Sequence, residues 1–221
     1  MPNDILNKVY EQLKPKRVTL VAVSKTKPNE AILEMYNEGQ RVFGENKVQE
    51  LTAKYEALPK DIQWHAIGHL QTNKVKYIAP FVSVIHSIDS LKLLKEVNKR
   101  AKQNDRTIDC LLQMHIAEED TKFGLNKEEV VALLESDSFK QFENVRIVGV
   151  MGMATFTDNE QQVRQEFKNL KAIFDNLKAT YFTNQASFKE ISMGMSGDYE
   201  LAIEEGSTMV RIGSLLFGER Y

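Results

Sequence analysis

Two lysines two positions apart raise the first question of chemistry in this chain. In "LVAVSKTKP", residues 20–28, Val21, Val23 and Lys25 share one face if the segment is a strand, because side chains alternate along β structure. A lysine at the end of a buried strand holds its amine in a partly dry setting. Its pKa is depressed there, and it can form a Schiff base with an aldehyde. Lys27 would share that face only if the strand continued, and Pro28 stops it while suiting the first turn of a helix. Lys25 is therefore the reactive candidate and Lys27 the solvent-facing one. The plain alternative for Lys25 is a lysine snorkelling from a strand end.

Arg211 is the second candidate. In "TMVRIGS", Met209 and Arg211 share one face while Val210 and Ile212 share the other. The aliphatic pair suits a helix-covered side, which turns Arg211 inward. A buried guanidinium needs an acceptor, either a ligand or a carboxylate of the protein such as Glu45 or Asp89.

Glycines mark a third feature. "MGMSGD" (193–198) and "IGS" (212–214) each follow a strand pattern. Glycines let backbone N–H groups approach an anion. Ser196 or Asp198 can cap a following helix, and Ser214 can do the same for the last one. Neither loop matches a named phosphate motif, and tight turns are the plain alternative.

The remaining polar residues are more ambiguous. Asn46 in "GENKVQE" resembles a helix N-cap, with Gln49 completing a capping box; a ligand contact is the rival. The four histidines, His65, His69, His86 and His115, fall in or just after three successive strand patterns. Such clustering raises a metal-hydrolase reading, but no carboxylate stands at a ligand spacing. Core or supporting roles fit better, and His69 can line a ligand pocket. Lys122 and Gly124 lie in a polar loop, 118–124.

Positioning these residues requires a regular scaffold. Strand patterns fall near 18–24, 41–43, 63–67, 82–86, 108–115, 146–151, 190–193 and 208–212. Helical patterns lie near 3–13, 29–39, 46–57, 71–78, 90–103, 127–135, 158–180 and 198–205, with 214–221 starting a last one. Alternating strands and helices imply βαβ units and a parallel sheet. Eight units favour an α/β fold closed as a single (β/α)8 TIM barrel over an open doubly wound sheet. In a barrel the loops after the strands form the active face, and those after strands seven and eight often hold phosphate. Lys25, Asn46, His69, Met195, Ser196, Gly213 and Ser214 all fall in or beside such loops.

Composition sets outer limits. The 221 residues are 42% hydrophobic and 27% charged, as expected of a globular domain, and near the usual barrel length. A formal net charge of −2 gives no sign of broad nucleic-acid binding. The single cysteine, Cys110, rules out an internal disulfide and reads as a buried small hydrophobe in a reduced compartment. No apolar run reaches membrane-span length, and the N-terminus lacks a secretory pattern. No linker divides the chain, so one domain, residues 1–221, is expected in the cytoplasm, with residues 1–16 as a helix ahead of strand one.

The segments "VAVSKTKP", "FGENKVQE", "WHAIGHLQTNK", "HSIDS", "SMGMSGDYELAI" and "GSTMVRIGSLLFGER" together resemble the YggS/PROSC family of pyridoxal 5′-phosphate homeostasis proteins (PLPBP). The resemblance runs from the first strand to the C-terminus. It implies a barrel like the N-terminal domain of alanine racemase, a fold-type III site for pyridoxal 5′-phosphate (PLP). On that resemblance Lys25 matches the lysine that holds PLP as a Schiff base, and Arg211 matches the arginine facing the pyridine nitrogen. Ser196, Gly213 and Ser214 match phosphate-binding positions, with the Met195 backbone beside them. Position 214 is often threonine in the family, and serine keeps the hydroxyl. Asn46 and His69 match residues lining the pocket.

The resemblance implies a PLP carrier acting in PLP homeostasis as a monomer, supplying or buffering cofactor for PLP-dependent apo-enzymes. It implies no nucleic-acid or membrane partner and no metal. Arginine beside the pyridine nitrogen makes a weaker electron sink than an aspartate would. The chain ends at Tyr221 without a second domain, which argues against amino-acid turnover. The alternative is a small PLP-dependent amino-acid racemase.

Overall fold

The computed structural model describes residues 2–118 and 123–218. Lys122, singled out above, lies outside them, as does Tyr221. Eight strands alternate with helices along the chain. The strands are β1 (Thr19–Val23), β2 (Val42–Glu45), β3 (Gln63–Ala66), β4 (Val84–Ile88), β5 (Ile108–Gln113), β6 (Val145–Met151), β7 (Glu190–Met195) and β8 (Met209–Ile212). The helices are α1 (Pro2–Leu13), α2 (Asn29–Asn37), α3 (Val48–Ala57), α4 (Val75–Ile78), α5 (Leu91–Gln103), α6 (Lys127–Glu135), α7 (Asp137–Lys140), α8 (Glu160–Thr180), α9 (Tyr199–Glu204) and α10 (Ser214–Phe217).

The strands pair in chain order, all parallel, and β1 closes on β8 to make a barrel. Thr19 to Ala22 register with Met209 to Ile212. The open doubly wound alternative is thereby set aside.

Side-chain alternation sorts the core into two layers. Leu20, Ala22, Phe43, Trp64, Val210 and Ile212 belong to one large buried cluster between barrel and helices. Val84, Leu111, Val148 and Met151 form a second cluster inside the barrel. Residues between the outward ones, including Val21 and Arg211, therefore face inward, as the strand period requires. Each fully buried large aliphatic side chain contributes about 1.5–3 kcal/mol, and helices are held mainly by this packing rather than by their propensity.

Several boundaries moved from their sequence positions. The segment 71–78 is a 3-10 turn, Thr72–Lys74, followed by the single-turn α4. The short α7 has no counterpart in the helical pattern. The capping box expected at Asn46 and Gln49 is absent: α3 begins one residue later, with Lys47 at the N-cap and no side-chain cap bond. Asn126 and Glu129 form a reciprocal capping box on α6 instead.

Candidate functional site

The turn carrying Lys25 is held from two sides. Strand β1 stops at Val23 rather than running to Lys25. Ser24 donates its N–H to the Gly44 carbonyl at 3.1 Å, and Lys27 donates to the Ser24 carbonyl at 3.0 Å, closing a tight turn over residues 24–27. Thr26 sits at φ +64°, uncommon for a β-branched residue, and its N–H donates to Glu50 Oε2 at 2.8 Å. Lys25 is half-buried in this turn.

Beneath the turn lies a buried ionic cluster. The Ser24 hydroxyl donates to Glu45 Oε1 at 2.6 Å. Lys54 Nζ donates to the same oxygen at 2.7 Å and to the Ser24 carbonyl at 2.8 Å. Both Glu45 and Lys54 are buried. Burial raises the Glu45 pKa, against the lowering pull of Lys54 and Ser24. Glu45 shares the outward face with Phe43, so it is committed to Lys54 on α3. It is not available to Arg211.

Lys27 is not the solvent-facing charge the sequence suggested. Its Nζ donates to the Phe217 carbonyl at 2.9 Å and the Gly218 carbonyl at 3.1 Å. It thus ties the first loop to the last turn of the described chain.

Arg211 points into the barrel and is 5% exposed. Among the described residues no carboxylate forms an ion pair with it: Asp89 lies beside His69 instead, at 3.1 Å. Its Nη1 donates to the Ser192 carbonyl at 2.9 Å and the Ser192 hydroxyl at 2.6 Å, and its Nη2 donates to the Gly152 carbonyl at 3.1 Å. Burial pulls its pKa down to about 10, with Asp198 opposing, so it stays cationic at neutral pH. Of the five N–H groups of a guanidinium, those on Nε and the second on Nη2 have no protein acceptor among the described residues.

Ser192 faces inward beside Met209, and β7 carries an irregularity just beyond it. Ser192 registers with Met209 while Met195 registers with Arg211, three residues against two. Such an insertion bends a strand and re-aims its side chains. Gly194 lies within it at φ +93°, and a Cβ there would stand 2.6 Å from Ala202 Cβ. Only glycine lets α9 pack this closely behind the loop that carries Met195 and Ser196.

The loops after β7 and β8 meet at Ser196. Its hydroxyl accepts from the N–H groups of Gly213 at 3.1 Å and Leu215 at 3.4 Å. Neither Ser196 nor Asp198 caps α9 through its side chain: Asp198 occupies the N-cap position without a cap bond, and its carboxylate accepts from the Met195 N–H. Gly213, not Ser214, is the N-cap residue of α10. Met195, Ser196, Gly213 and Ser214 therefore share one rim of the barrel. Lys25 stands two residues beyond Val23, which packs against Gly213.

Asn46 and His69 extend that rim past β2 and β3. Gly68 presses on the Asn46 backbone, where a Cβ would lie 2.6 Å from the Asn46 carbonyl oxygen. His69 is exposed, and its ring stacks on Phe123 at 4.6 Å. Among the described residues, no three His, Cys, Asp or Glu side chains form a metal-ligating group. His65 and His86 instead pair with one another at 2.9 Å inside the barrel. Cys110 is fully buried, and burial raises its thiol pKa.

Sequence reasoning missed Ser24, Glu45, Lys54 and Glu50 as supports of the lysine turn, and Ser192 as the partner of Arg211. Ser192 carried one usable signal: it alternates with Ile191 and Met193, so it had to face inward if they faced the helices.

A barrel with a lysine turn after β1 and convergent N–H groups after β7 and β8 places the chain in a recognisable class. The family described as alanine racemase, N-terminal domain, matches residues 6–221. An alanine racemase from Bartonella henselae with covalently bound pyridoxal phosphate superposes with a TM-score of 0.71 at 15% identity, over 99% of this chain and 58% of that one, which shows the shared fold. The pyridoxal phosphate homeostasis protein of Aquifex aeolicus is 45% identical over 202 residues, 91% of this chain and 86% of its own length. PipY of Synechococcus elongatus with PLP bound is 34% identical, with a TM-score of 0.88 over 99% of this chain and all of that one. The chain belongs to the family of pyridoxal phosphate homeostasis proteins. No helix among the described residues is long and apolar enough to cross a membrane.

Proposed function

We propose that this chain binds PLP at the C-terminal mouth of its barrel, holds it as a Schiff base on Lys25, and buffers or delivers it within the cytoplasm without turning over amino acids. The observation that carries the reading is the inward, buried Arg211 with two N–H groups that meet no acceptor among the described residues. A cationic donor of this kind fits an aromatic ring nitrogen that acts as acceptor. The N–H groups converging on Ser196 fit the phosphate end, and the braced turn fits a fixed amine.

In this reading Ser196, Gly213, Ser214 and the Met195 backbone hold the phosphate, while Asn46 and His69 line the pocket wall. Bound PLP supplies an aldehyde for the lysine and an electron-withdrawing ring. Arg211, remaining protonated, disfavours a second positive charge on the ring nitrogen. That limits the ring as an electron sink and favours storage over catalysis. The partners are then PLP itself and the apo-enzymes that receive it.

The test is spectroscopic. Purified protein mixed with PLP should turn yellow, and borohydride should fix one cofactor mass on Lys25. Covalent cofactor on a different lysine in Lys25→Ala would sink the assignment. Rapid isotope exchange at Cα across a panel of amino acids would replace the carrier with a racemase.

A further inference from the structure

A chain of four polar side chains crosses the barrel interior from β3 and β4 to β7 and β8. His65 Nδ1 stands 2.9 Å from His86 Nε2, and His86 Nδ1 stands 3.0 Å from the Ser192 hydroxyl. The Ser192 hydroxyl in turn lies 2.6 Å from Arg211 Nη1. All four residues are at most 5% exposed. Ser192 touches Arg211 directly, and the two histidines stand behind it.

The arginine sets the direction of the whole chain. A guanidinium can only donate, so the Ser192 oxygen accepts. The serine proton then has one acceptor within reach among the described residues, His86 Nδ1. That places the His86 proton on Nε2, which donates to His65 Nδ1, and leaves the His65 proton on its own Nε2. Burial keeps both imidazoles neutral, with the His65 pKa pushed down to about 3 and that of His86 also well below its usual value. Each group is polarised by the one before it, and such chains strengthen cooperatively in a low dielectric.

We propose that Ser192, His86 and His65 are positioning residues that fix the Arg211 guanidinium at the ring-nitrogen end of the PLP pocket, in place of the carboxylate that usually holds a buried arginine. The proposal rests on the PLP reading of the site. Two bonds from Ser192 fix the Nη1 side, and the Gly152 carbonyl fixes Nη2. The neutral chain adds orientation without adding negative charge. A carboxylate in place of Ser192 would draw the guanidinium toward itself and away from a neutral ring acceptor.

Two measurements test this. Nitrogen-15 NMR of the cofactor-free protein should show both His65 and His86 neutral, with the proton on Nε2. A proton on Nδ1 of either overturns the direction of the chain. In the PLP-loaded protein, His86→Leu should shift the visible band in the same direction as Arg211→Ala and weaken PLP binding about tenfold, one charged hydrogen bond's worth. His86→Asn, whose Oδ1 can take the place of Nδ1 as acceptor, should restore the parent band. A folded His86→Leu that labels on Lys25 with parent band and affinity overturns the positioning role. If His86→Leu does not fold, Ser192→Ala carries the same expectation. Failure of the parent protein to label on Lys25 would overturn the PLP reading itself, a separate outcome.

Discussion

Lys54 Nζ and Glu45 Oε1 lie 2.7 Å apart beneath the turn that carries Lys25, with side-chain exposures of 8% and 0%. The pair is buried and shares the Ser24 hydroxyl and carbonyl as partners. Breaking a buried pair from one side leaves an uncompensated charge and costs about 3–5 kcal/mol. Lys54→Met is expected to lose that much in urea denaturation. Adding Glu45→Leu should recover most of it, because two apolar groups replace a pair that was costly to bury. A double variant as unstable as Lys54→Met would refute this account.

The two inner histidines should make the protein acid-labile. Their folded pKa values lie below the usual 6.5, so below pH 6.5 the unfolded chain binds protons that the folded one refuses. Their stabilisation is complete above pH 6.5 and is lost as pH falls toward the folded value. For His65 the loss is about 1.4 kcal/mol per pH unit. Unfolding free energies from urea titrations between pH 6 and pH 4.5 should fall less steeply by about that amount per pH unit in His65→Gln than in the parent.

Ser196 joins the two loops after β7 and β8, so its loss should be felt in ligand binding more than in stability. Ser196→Ala removes the acceptor of the Gly213 and Leu215 N–H groups. The half-buried position lets water replace it, and unfolding free energy should drop by no more than about 1.5 kcal/mol. Phosphate-end binding should suffer instead, with PLP affinity by fluorescence titration reduced about tenfold. Pyridoxal, which lacks the phosphate, should bind parent and variant alike.

Lys27 ties the first loop to the carbonyls of Phe217 and Gly218. Lys27→Met should leave global stability within about 1.5 kcal/mol while speeding amide hydrogen exchange in Leu215–Phe217. Unchanged exchange there would show that the tie has no hold on α10.

Much of the scaffold was legible because a strand's period is two. Alternation alone turned Arg211 inward and sent Val210 and Ile212 to the helices, whereas Lys25 lies in the turn two residues beyond the end of β1. The helix starts were less legible. Asn46 reads as a cap on residue type, yet α3 begins after Lys47, with no side-chain cap bond. Lys27 read as solvent-facing because Pro28 ends the strand there, and the carbonyls of Phe217 and Gly218 that it reaches lie 190 and 191 residues away in sequence.

By itself the sequence determined the eight-unit alternation, the inward faces and the motifs that mark the family, all properties of neighbouring residues. Only the tertiary structure decided what Arg211 touches and which way the histidines point. Barrel closure joins β1 to β8, and the inward face of β7 meets that of β4, where Ser192 stands 3.0 Å from His86, 106 residues earlier. Hydrogen bonds of that span depend on register and closure together, and no local period encodes them.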